Sequence, residues 1–174
     1  MHVLQYIAIQ AGSVKEAFKN VKSKLEDVAN SNFWSDWHVV GGGRWSKNSK
    51  DYFVDTPQDV ISYVNDKSKF LHSIEWTKKA RIDEMKNLLS NLQRDSGEAQ
   101  FVISALEYIK NAECNSVDLN AYYVNRITQM LLGHWTSDSY FFDIESNTGS
   151  YKDLEQRIQD DPDNVYLVPV DFHF

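Results

Sequence analysis

Cysteine, proline and glycine are scarce in this 174-residue chain, with one, three and seven copies, and long apolar runs are missing. A lone cysteine, Cys114, forms no internal disulfide and anchors no cysteine-based zinc site, which fits a reducing compartment. Uncharged apolar runs such as 165–170 fall far short of the roughly 20 residues of a membrane-spanning helix, so no membrane partner is expected. The opening Met-His-Val-Leu-Gln-Tyr-Ile-Ala-Ile-Gln has no basic leader and no small-residue cleavage site. It reads as a first strand, and the expected location is cytoplasmic. No internal repeat, low-complexity tract or Pro/Gly/Ser-rich linker breaks the chain.

Positive charge is also in short supply. Eighteen basic residues against 25 acidic ones give a net charge of -7, which opposes binding to double-stranded nucleic acid. The deficit is uneven: residues 1–60 carry seven basic and seven acidic groups, whereas 146–174 carry two against six. The balanced segment holds Arg44, Lys47 and Lys50 close together, so a local anion site is compatible with the acidic whole.

What is present is core material, 42% hydrophobic and 13% aromatic, enough for a single domain. Val3 to Gln10 is the first strand candidate. Ser13 with Glu16 forms a capping box ahead of an apolar stripe, Val14, Ala17, Phe18, Val21, Leu25 and Val28, which predicts a helix. A second strand at Trp37 to Val40 runs into three glycines, and Arg44 to Val54 is expected to return as an irregular hairpin arm. Thr56-Pro57-Gln58-Asp59 reads as a helix start.

From there to Gly133 the periodicity is helical, in three stripes. Ile74, Ile82, Met85, Leu88, Leu89 and Leu92 form the first, Phe101, Val102, Ala105, Leu106 and Ile109 the second, and Leu119, Tyr123, Ile127, Met130 and Leu131 the third. Ser139 to Glu145 is strand-like, Ser150 with Asp153 starts a helix ending before Pro162, and Val165 to Phe174 is the last strand. The expected fold is α+β, a ferredoxin-like βαββαβ core (1–55 and 137–174) with a helical insertion, about 56–133, between the second and third strands. The first and last strands are apolar on both faces, which predicts inner positions in the sheet.

The segment Asp36-Trp37-His38-Val39-Val40-Gly41-Gly42-Gly43-Arg44-Trp45-Ser46 and the closing Val170-Asp171-Phe172-His173-Phe174 resemble a family of uncharacterised phage and actinobacterial proteins. That family carries a tryptophan-rich Gly-Gly-Arg-Trp motif and ends in Val-Asp-x-His plus an apolar residue. The similarity covers mainly the first 50 or so residues and the last 35, and a third glycine here departs from the family's pair. The resemblance implies a phage or phage-like origin, hence the host cytoplasm, and a counter-defence role, but no particular reaction.

Consecutive glycines let backbone N–H groups converge on an anion, and Arg44 adds a planar charged fork suited to phosphate oxygens. Trp34, Trp37 and Trp45 offer flat faces on which a base can stack, worth about 1–3 kcal/mol per base. The expected ligand site is therefore Trp34, Trp37, Gly41, Gly42, Gly43, Arg44 and Trp45, holding a small phosphorylated or nucleotide-like ligand. The segment matches neither the phosphate-loop nor the dinucleotide-binding glycine pattern. The competing structural reading is a tight turn with core tryptophans and a paired arginine.

On the last strand Asp171 and His173 lie two apart and share a face, an arrangement that orients an imidazole or supplies two metal ligands. His134-Trp135-Thr136 supplies one His-x-Thr triplet where two-histidine phosphoesterases carry two. The first expectation is thus a non-catalytic protein that sequesters a nucleotide-derived ligand, needing no metal or cofactor. A phosphodiesterase using His134, Asp171 and His173 is the second. An interaction module binding a host protein through the helical insertion is the third. A homodimer is the expected oligomeric state.

Overall fold

The computed structural model describes residues 2–31, 36–96, 127–129 and 140–173. Two compact units emerge: Met1–Lys78 with Trp135–Phe174, and Lys79–His134. The first unit holds a five-stranded mixed sheet. Strand β1 (His2–Gln10) runs parallel to β4 (Phe141–Asp143) and antiparallel to β5 (Val165–His173). The other edge of β5 carries β2 (Trp37–Val40) and then β3 (Ile61–Ser62), both antiparallel to it. β2 pairs with residues 170–173 and β3 with 166–167, so the two are halves of one edge strand that the chain leaves and rejoins.

The two inner strands are β1 and β5, as their two-sided apolar pattern requires. Ile7, Ile9, Val168, Val170 and Phe172 face helix α1 (Val14–Ser31), where Ala17, Val21 and Leu25 cover them. Ala8, Val165 and Leu167 face the other way, under Phe70 and Ile74 of α2 (Lys67–Ser96) and Leu154 of α3 (Lys152–Asp160). Full burial of each valine, leucine, isoleucine or phenylalanine among them contributes about 1.5–3 kcal/mol. Ser13 caps α1, with Glu16 N–H donating to Ser13 Oγ at 3.2 Å, but the Glu16 carboxylate accepts from Gly12 N–H at 2.9 Å, one residue before the N-cap amide that a full capping box would engage.

The sheet departs from the ferredoxin-like expectation. Its order, β2-β5-β1-β4, seats the second strand beside the last, whereas a ferredoxin-like sheet seats it beside the third. Helices cover both faces instead of one, because both inner strands present apolar side chains on each side. The expected helix start at Thr56 is a short 3-10 turn, Pro57–Asp59, after which the backbone turns extended at Val60 and enters β3. Helix α2 begins ten residues after Pro57, at Lys67.

In the second unit, Leu88 and Ile127 are buried together with Met85 against them. The Phe101–Ile109 stripe, Cys114 and most of the third stripe lie outside the described residues. No helix among the described residues is long and apolar enough to cross a membrane.

Candidate functional site

Between β2 and β3 the chain makes an Ω-loop whose neck is closed where Thr56 N–H donates to Val40 O at 2.9 Å. Gly41, Gly42 and Gly43 all take positive φ, 98°, 97° and 46°. A Cβ at Gly41 would overlap the Thr56 backbone, and one at Gly43 would stand 2.5 Å from Asp171 Oδ2. Close approach as well as backbone angle therefore demands glycine at both. The expected nest of three amides is not formed. Gly41 N–H continues the sheet ladder by donating to Pro169 O at 2.7 Å, and the next residues wind into a 3-10 turn, Gly43–Trp45.

Polar side chains stiffen the loop. Buried Asp59 accepts from the Ser46 hydroxyl and from Asn48 Nδ2, the latter at 2.8 Å, and Ser46 Oγ accepts from the Asn48 and Ser49 amides, each at 3.1 Å. At the neck Asp55 accepts from Val40 N–H at 3.0 Å and pairs with Lys22 at 2.6 Å. The hydrogen bond to Asp55, then its charge, raises the Lys22 pKa above the ordinary 10.5.

This loop and the start of α2 enclose a hollow of about 230 Å³ on the sheet face opposite α1. Its floor is Leu4, Tyr6, Ile61 and Pro169, and the loop side is Gly41, Gly42, Trp45, Lys47 and Asp59. From α2 come Lys69, His72 and Ser73, which helical spacing of three and four places on one side. Among the described residues, Lys47, Lys69 and His72 have no hydrogen-bond or ion-pair partner, whereas both Asp59 oxygens are engaged. The result is a largely apolar basin with two exposed ammonium groups, Lys47 and Lys69, on its rim and the Asp59 carboxylate, held by neutral donors, in its wall.

Beyond Trp45, at the end of the same sheet face, sits a second cluster. Register pairs His2 with His173 across β1 and β5, and their rings lie 4.8 Å apart. His2 Nδ1 meets Asp171 Oδ1 at 2.9 Å, and His173 Nδ1 meets Asp36 Oδ2 at 3.1 Å. The Asp171 side chain is 0% exposed, and its other oxygen accepts Arg44 N–H at 3.1 Å. Trp37 stacks on His173 at 5.0 Å with an interplanar angle of 5°, and Phe53 packs on Trp37 at 5.2 Å while remaining 73% exposed. Trp45 stands edge-on to His2 at 6.3 Å.

The expected site residues are thus distributed over both places. Gly41, Gly42 and Trp45 line the hollow; Gly43 and the Arg44 backbone pack on Asp171, and Trp37 belongs to the histidine cluster. The exposed Arg44 side chain has no carboxylate partner among the described residues. Trp34 and His134 lie outside the described residues. The expected mutual pairing of Asp171 and His173 is corrected: each takes a partner from another strand or its flank. Trp76 stands edge-on to Tyr6 and Tyr140. Lys47 came from the charge pattern. Lys69 and His2 carried no sequence signal, because their roles arise from contacts with distant segments.

His38 points to the opposite face, half-buried against Phe172, and burial lowers its pKa below 6.5. Groups of three or more metal-binding side chains are not found among the described residues. Compared with known family models, curated proteins and solved structures, the chain has no match.

Proposed function

We propose that the protein captures a small phosphorylated, nucleotide-derived ligand in the hollow between the Ω-loop and α2. One observation carries this reading: in a chain of net charge -7, Lys47, Lys69 and His72 converge unpaired on a basin walled by Trp45. Phosphate oxygens suit the two ammonium groups, and a flat base suits the Trp45 and Tyr6 rings. A volume of about 230 Å³ lies below the roughly 300–1,000 Å³ of sites that enclose drug-sized ligands, so a mononucleotide-sized portion fits best. The motif resemblance suggests the setting, a phage-encoded sponge for a nucleotide signal in the host cell.

Calorimetry with nucleoside 5′-monophosphates and with inorganic phosphate tests the site. Lys47→Ala and Lys69→Ala should each weaken nucleotide binding about tenfold, the worth of one charge-assisted hydrogen bond. Equal affinity in wild type and both variants would overturn the assignment.

A further inference from the structure

We infer that the His2–His173 pair is a general acid–base centre able to cleave the phosphodiester of a short ribonucleotide. The inference rests on the histidine cluster and is independent of the hollow. An ionised carboxylate only accepts hydrogen bonds, so Asp171 and Asp36 each hold an imidazole with Nδ1–H toward the carboxylate. In the neutral ring that leaves the Nε2 lone pair as a base, and in the protonated ring Nε2–H as an acid. Two rings so held, 4.8 Å apart, form the minimum set for moving one proton off a nucleophile and another onto a leaving group.

Access and recognition are also on this face. The His2 and His173 side chains are 16% and 31% exposed, so the pair opens to solvent. Trp37 stacks on His173 and Trp45 stands edge-on to His2, and the exposed rings of Trp45 and Phe53 offer flat surfaces for bases beside the pair. Arg44, its backbone pinned to Asp171 and its side chain exposed, supplies a cation for the phosphoryl oxygens. The carboxylates on the imidazoles are Asp171 from β5 and Asp36 before β2, and the neighbouring loop carries Arg44, whose backbone N–H binds Asp171.

A ribonucleotide brings its own nucleophile, so no co-reactant is needed. His2, held by the buried carboxylate, takes the proton of the 2′-hydroxyl as that oxygen bonds to phosphorus. The bond from phosphorus to the 5′ oxygen breaks, and this oxygen takes the proton from Nε2 of His173. The products are a 2′,3′-cyclic phosphate and a free 5′-hydroxyl, and proton exchange with solvent resets the pair. The acidic surface favours short substrates over long polyanions.

The test incubates the full chain with a ribodinucleoside 3′,5′-monophosphate and its deoxyribo counterpart across about pH 5 to 8, the range in which imidazoles titrate. Cleavage of the ribo substrate alone, giving the cyclic phosphate with a bell-shaped pH profile, is expected. His2→Gln and His173→Gln should each slow it at least about a hundredfold while retaining the far-UV circular dichroism of the wild type. Asp36→Asn, an exposed positioning change, should displace one limb of the pH profile. No cleavage by the wild type, equal cleavage of the deoxy substrate, or a rate unchanged in both histidine variants would overturn the inference.

Discussion

Gly43 and Asp171 are in direct contact: a Cβ at position 43 would lie 2.5 Å from Asp171 Oδ2, the oxygen that accepts the Arg44 amide at 3.1 Å. The Ω-loop therefore sits on a buried carboxylate of the last strand, and that carboxylate also orients His2. The loop bearing Trp45 and Lys47 and the histidine cluster share this one anchor.

The three glycines should differ in their tolerance of alanine. Gly41→Ala and Gly43→Ala each meet fixed atoms in addition to an unfavourable φ, and should cost about 2–4 kcal/mol. At Gly42 the nearest atoms lie at 3.5 Å or more, so only the backbone penalty applies, about 1 kcal/mol. Urea unfolding of the three variants checks the ranking, and a Gly42 variant as damaged as the others would contradict it.

The Arg157–Asp143 pair offers a second stability test. The Asp143 side chain is fully buried, pairs with Arg157, and also accepts the Glu145 and Ser146 amides at 3.1 and 3.2 Å. Arg157→Ala leaves a buried carboxylate without its cation and should cost about 3–5 kcal/mol. Adding Asp143→Asn should recover part of that loss, since the amide oxygen still accepts from the turn. A double variant less stable than Arg157→Ala would contradict the charge argument.

His38 sets an acid-side pH dependence. Its folded pKa lies below the ordinary 6.5, so below about pH 6.5 the unfolded chain binds more protons and stability is lost as the pH is lowered. His38→Gln should flatten the stability curve between about pH 7 and 5. Lys22 acts with opposite sign, since its raised pKa gives stability that is present below 10.5 and lost as pH rises through the folded value. Its side chain is 44% exposed, so solvent screening keeps that alkaline effect small.

Salt should weaken capture in the hollow. Lys47 and Lys69 are exposed, so raising ionic strength from about 0.05 to 0.5 M should reduce nucleoside monophosphate affinity several-fold. Titrations at three salt concentrations measure this, and a salt-independent affinity would place the ligand elsewhere.

Periodicity and local chemistry by themselves determined α1 with its Ser13 cap, the inner strands β1 and β5, the α3 start near Ser150, and the special backbone at residues 41–43. Each depends on residues within a few positions of one another. Nearest-neighbour preferences misread Thr56-Pro57-Gln58-Asp59, where a helix-start pattern was overridden when β3 returned to the edge of β5. Tertiary structure alone decided the strand order, the closure of the Ω-loop on Asp171, and the pairing of His2 with a carboxylate 169 positions away. It also gathered Leu4, Gly41, Lys47, Lys69 and Pro169 around one hollow. The physical reason is that hydrophobic burial selects which faces meet without regard to sequence distance, and a site assembled at that meeting leaves no spacing to read along the chain.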